Sequence, residues 1–121
     1  MKNILLSSLF LSVLFVAQNV YALETKQLPA PRTDGGKPLM EALKERKTSR
    51  SFSDRPLEEQ VLSDMLWAAF GINRPAEGKR TAPTALNKQN IDIYVLDAAG
   101  VWRYDAKTNT LAAVMQKDLR P

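Results

Sequence analysis

The chain has 121 residues, 45% hydrophobic and 25% charged, a composition that fits one globular domain at most and excludes a disordered tail. It contains no cysteine and no histidine, which removes disulfides, thiolate nucleophiles, Cys/His zinc sites and imidazole acid-base chemistry together, so any catalysis needs other groups or a borrowed cofactor. The net charge of +4, or +3 once Lys2 is set aside, is too mild to indicate nucleic acid or an anionic membrane as a partner.

The first residues read as an address. Lys2 supplies a positive n-region, Ile4 to Ala17 is an uncharged and mostly apolar run of 14 residues, and Val20-Tyr21-Ala22 offers an A-x-A-like cleavage site. A membrane-spanning helix needs about 20 apolar residues. The expectation is therefore a secretory signal over residues 1–22, cleaved after Ala22, with a periplasmic or secreted product and no stable membrane span after cleavage. A lipid anchor would need a cysteine. Residues 23–37 (LETKQLPAPRTDGGK) carry two prolines, a Gly-Gly pair and no apolar period, and are predicted to be a loop-like leader.

Pro38 suits the first position of a helix, Glu41 its first turn, and Leu39 with Leu43, flanked by Met40, gives an i, i+4 stripe expected to be buried. This helix should run out near Lys47. There the stretch RKTSRSF (Arg46 to Phe52) places three cations and three hydroxyls in seven residues, and the wider interval from Lys44 to Arg55 holds five cations against two acids. Two readings are open. Guanidinium forks and hydroxyls can surround a phosphate with charge-assisted hydrogen bonds. Cations at a helix C-terminus also favour the macrodipole while facing water.

Pro56, Glu58 and Glu59 open a second helix, in which Leu57, Val61, Leu62, Met65, Leu66, Ala69 and Phe70 keep a 3.6-residue period until Gly71. That helix is expected in the core, with Trp67 and Phe70 as packing residues. Residues 72–90 are rich in Pro, Asn, Thr and Gly and read as a long loop, a feature usually functional or disordered. Ile91–Leu96, Val101–Tyr104 and Thr110–Met115 read as strands, the first two joined by an Asp97–Gly100 turn, with Trp102 and Tyr104 alternating onto one face. The predicted fold class is α+β, N-terminal helices followed by an antiparallel β-meander, with no evident closing element after it.

Four segments in order, ALKERKTSRSF, LEEQVLSDMLWAAFGIN, RTAPTALNKQNIDIYVL and GVWRYDAKTNTL, resemble the nitroreductase family of FMN enzymes over residues 38–121, nearest its azoline (thiazole/oxazole) dehydrogenase-like branch. The resemblance implies that Arg46, Thr48 and Arg50 hold the phosphate and ribityl chain of FMN, with Lys47 helping mainly through its backbone. It likewise implies that Asn87 and Gln89, in TALNKQ, meet the pyrimidine edge of the isoalloxazine ring. A side-chain amide offers both a donor and an acceptor for such an edge, although Asn is also a favoured turn residue.

By resemblance the complete enzyme is a homodimer that carries a hydride through flavin N5, from NAD(P)H or a substrate to an acceptor such as a nitroaromatic, quinone or azoline. No G-x-G-x-x-G segment exists, so no Rossmann site is indicated for the nicotinamide. The chain departs from the family pattern at Asn90-Ile91, where proline is frequent, and at Thr48 and Thr84, where serine is common. It also resembles only the N-terminal half of the family domain, which suggests a truncated copy. The alternative is a non-catalytic exported domain that binds an anionic ligand or partner through its basic turn.

Overall fold

A computed structural model describes residues 24–121. The expected signal and its cleavage site after Ala22 lie outside the described residues. In chain order the elements are strand β1 (Thr25–Gln27), helix α1 (Leu39–Glu45), helix α2 (Glu59–Phe70), strands β2 (Ile72–Arg74) and β3 (Lys79–Arg80), and strands β4 (Tyr94–Leu96), β5 (Val101–Asp105) and β6 (Thr110–Met115). A single 3₁₀ turn occupies Pro75–Glu77, and Ala85–Asn87 form a turn with left-handed backbone at Leu86 and Asn87. The class is α+β, as the sequence predicts.

The four-stranded sheet runs β1-β6-β5-β4, antiparallel throughout, and β2-β3 form a separate hairpin. Along β5 the side chains alternate, so that Trp102 and Tyr104 are buried while Arg103 and Asp105 are exposed. Register carries the same face across the sheet: Trp102 lies between Val95 and Ala113, and Tyr104 opposite Leu111. Leu66 of α2 and Leu28 close this core, with Leu62, Ile93, Val95 and Ala106 packed around it.

Three expectations need correction. The leader is not loop throughout: Thr25–Gln27 pairs with Thr110–Ala112 as the sheet's edge strand, and Leu28 behind it is 3% exposed. Its few residues show no period because backbone pairing to β6, rather than an apolar face, holds them. The stripe on α1 is not buried: Leu39, Met40 and Leu43 are 72%, 74% and 54% exposed, and no residue of this helix is buried. Residues 72–90 are not one long loop either, since they contain the β2-β3 hairpin, a 3₁₀ turn and the Ala85–Asn87 turn. The hairpin is short and polar, so its hold comes from the helix before it: Thr81 N–H donates to Gly71 O at 2.9 Å and Thr81 Oγ1 to Trp67 O at 3.2 Å.

The second helix is core on one face only. Ser63, Leu66 and Phe70 are buried, Trp67 is half-buried, and Met65 and Ala69 face water. Gly71 ends it where a Cβ would fall 2.4 Å from the Trp67 ring, so the close approach of chain to ring admits no larger residue. Among the described residues, no helix is long and apolar enough to cross a membrane.

Candidate functional site

Two regions carry the residues singled out by sequence. The first is the segment after α1. Arg46 leaves the helix, its N–H donating to Leu43 O at 3.3 Å while its ψ of 119° turns the chain into extended coil. Arg46, Lys47, Thr48 and Arg50 are exposed, and their side chains make no hydrogen bond or ion pair within the described residues. Phe52, in the same coil, is 86% exposed. The cations are therefore not consumed by internal acids, although Lys44 and Arg55 flank them with the same sign.

The second region is the loop that follows β3. Leu86, Asn87 and Gln89 all have left-handed backbone, with φ of 53°, 53° and 50°. For L-residues this conformation costs energy, most for a bulky side chain such as Leu86, and it persists only where surroundings impose it. Those surroundings are polar and specific. Gln89 N–H donates to Thr84 Oγ1 at 3.0 Å, and Gln89 Nε2 donates to Asn87 Oδ1 at 3.0 Å and to Gly78 O at 2.5 Å. Gln89 Oε1 accepts from Arg80 Nε at 2.7 Å.

Arg80 is fixed in turn by α2. Its Nη1 donates to Phe70 O at 2.9 Å, and its guanidinium carbon lies 4.6 Å from the centroid of the Phe70 ring. A cation here satisfies a terminal helix carbonyl and complements the negative end of the helix dipole. It also gains from the ring's quadrupole. The same residues line a cleft of about 260 Å³ that continues over Ile91, Ile93, Arg103, Tyr104 and Lys107, with Asp92 and Asp105 on its walls. Burial pushes the Tyr104 phenol up, a shift that the positive charge of Arg80 only partly offsets, so its O–H stays protonated and donates to Asn109 Oδ1 at 3.2 Å.

The structure thus joins Asn87 and Gln89 in one hydrogen-bonded pair, while Arg46, Lys47, Thr48 and Arg50 lie on a separate exposed segment that shares no hydrogen bond with that pair. Arg80 was not expected. Its signal in sequence is only a cation nine residues before Gln89, and the choice of Gln89 and Phe70 as its partners is made by the packing of the hairpin on α2.

The β-meander backed by one helix makes this an α+β domain of nitroreductase-like fold. Residues 43–119 match the sequence profile of the nitroreductase family, and the chain belongs to that family. It is similar to the crystal structure of a candidate nitroreductase from Ralstonia eutropha JMP134, at 43% identity and a TM-score of 0.75 over 79% of this chain and 46% of that one. The chain spans less than half the length of that structure. Neither match singles out a branch within the family. No curated protein matches the chain.

Proposed function

We propose that this chain binds FMN and serves an oxidoreductase of nitroreductase type. The observation that carries the reading is the left-handed loop that holds Asn87 and Gln89 as an ordered amide pair, strain of a kind that clusters at ligand sites. The residues fit the group chemically. Arg46, Lys47 and Arg50 have charge to spare for a phosphate dianion, Thr48 adds a hydroxyl, and an amide suits the alternating acceptors and donor of a flavin's pyrimidine edge.

When bound, FMN would supply the redox chemistry, taking a hydride at N5 from NAD(P)H or a substrate and delivering it to a nitroaromatic, quinone or azoline. The chain's own part is positional: the basic segment neutralises the phosphate, and the amide loop fixes one edge of the ring. Export with cleavage after Ala22 and assembly as a homodimer belong to the same proposal. Mature protein beginning at Leu23 supports the export, and intact Met1 on cytoplasmic protein rules it out.

The experiment is a titration of purified protein with FMN, read by flavin absorbance. Saturable binding is expected. Arg50→Glu should weaken it at least about tenfold, since a charge-assisted contact contributes about 1.5–3 kcal/mol. Lys117→Glu, the same charge change on the exposed segment after β6, should leave it nearly unaltered. Equal affinities in the two variants would remove the basis for the phosphate assignment, and colourless protein indifferent to FMN would favour the non-catalytic anion-binding alternative.

A further inference from the structure

The hydrogen bonds around Gln89 have a direction, and that direction is set by Arg80 on its oxygen side and by Gly78 O on its nitrogen side. A guanidinium donates and never accepts, so the Gln89 atom facing Arg80 Nε at 2.7 Å has to be the carbonyl oxygen. The amide nitrogen is thereby turned toward Gly78 O, a group that only accepts, and toward Asn87. With Gln89 donating, the Asn87 atom at 3.0 Å has to be Oδ1. Asn87 Nδ2 is left as the amide donor of the pair with no partner among the described residues.

We infer that Arg80 is a positioning residue that fixes the polarity of the Gln89–Asn87 pair, so that Asn87 offers N–H donors to a carbonyl oxygen of the ligand rather than an acceptor to its N–H. This rests on the FMN reading for the identity of the ligand, and on the hydrogen-bond geometry alone for the relay. Arg80 is itself well fixed, because the Phe70 carbonyl, the Phe70 ring and the Gln89 amide hold it from three sides. Without it, Gln89 Oε1 loses its donor and the amide is held only from its nitrogen side, by Gly78 O and Asn87, so the pair loosens and its geometry toward the ligand is no longer fixed. Gln89 itself is a brace more than a ligand, because both of its N–H donors are engaged.

The test has two arms. In the first, side-chain amide resonances of Asn87 and Gln89 are recorded by NMR on ligand-free protein. Wild type should show slowly exchanging Gln89 N–H protons; Arg80→Met should speed their exchange about tenfold or more, while Arg80→Lys, still a pure donor, should restore most of the protection. Gln89→Glu breaks the relay without touching the Arg80 cap on α2, and should shift the Asn87 amide signal although α2 stays folded. Gln89 exchange that is the same in wild type and Arg80→Met would overturn the relay.

In the second arm, FMN affinity is compared for wild type and Asn87→Asp. The carboxylate still accepts from Gln89 but has no donor for the ligand, so affinity should fall at least tenfold. Affinity that is kept or raised in Asn87→Asp would mean that this residue accepts from the flavin N–H, and would overturn the assigned polarity. Wild-type protein that binds no FMN would sink the flavin reading and the ligand-facing half of the inference, while the NMR arm still decides the relay.

Discussion

Asp97 shows how much one oxygen can organise. Its Oδ1 accepts from Ala99 N–H at 2.8 Å, Gly100 N–H at 2.9 Å and the Trp102 indole N–H at 3.0 Å, tying the β4-β5 turn to the largest core residue. Burial raises the carboxyl's pKa, but the indole and the two backbone donors outweigh it and hold the group below its ordinary 3.8. A depressed folded-state pKa contributes stability that is present above the unfolded value and lost as pH falls through the folded one. Asp97→Ala should therefore cost about 1–3 kcal/mol in urea denaturation, because it strands a buried indole N–H. Acidification below about pH 4 should weaken wild type by a component that Asp97→Asn lacks. An Asp97→Asn variant with the full wild-type acid loss would show that other carboxyls carry it. The turn itself is legible as Asp-Ala-Ala-Gly, but the reason for its glycine is not: at φ +151°, a Cβ on Gly100 would sit 2.1 Å from Met115 O on another strand.

Among elements, those with a long enough period were readable and those held by backbone or by single polar groups were not. The strand Thr110–Met115 coincides with its predicted bounds, and Trp102 and Tyr104 are buried as their alternation requires. The edge strand β1 has three residues, too few to show a period, and the segment after it is positioned by side chains elsewhere in the chain. Ser63 Oγ, fully buried on α2, donates to Pro29 O at 2.6 Å, and Asn109 Nδ2 donates to Pro29 O at 2.7 Å and to Ser63 Oγ at 3.1 Å. Farther along, Gln60 donates to Ala30 O, and Arg32 pairs with Asp64, whose carboxyl is held low by the Arg32 backbone and side-chain bonds.

Asn109 also has left-handed backbone at φ 53°, so it serves the β5-β6 turn and the brace at once. Asn109→Ala should lose both, about 2–4 kcal/mol, and Asn109→Gly only the hydrogen bonds, about 1–2 kcal/mol. Chemical denaturation ranking glycine below alanine would refute the backbone part of that account. The candidate site divides in the same way. Asn87 and Gln89 are found through the resemblance of their segment, whereas Arg80 emerges only when the hairpin folds back on α2.

For the whole molecule the open balance lies in α1. A helix of seven residues is far below the length of about 12–15 residues at which isolated helices become even marginal in water. Its support is thin: Lys37 pairs with Glu45 and approaches Glu41 at 3.9 Å, and exposed ion pairs of this kind contribute about 0–1 kcal/mol. Against that, Leu39, Met40 and Leu43 present an apolar face to solvent, and covering such side chains is worth about 1.5–3 kcal/mol each. The favourable outcome for this face is burial against another surface, which fits the proposed assembly of two copies. Protein carrying residues 23–121 should then associate as concentration rises, and amide exchange over residues 39–45 should slow in parallel, while exchange in β5 and β6 stays constant. Replacing Leu39 and Leu43 together by lysine should abolish both effects without loosening the sheet, since neither side chain belongs to its core. If α1 amides in dilute monomer were already protected as well as those of α2, the helix would have a source of stability that neither its length nor its exposed face supplies.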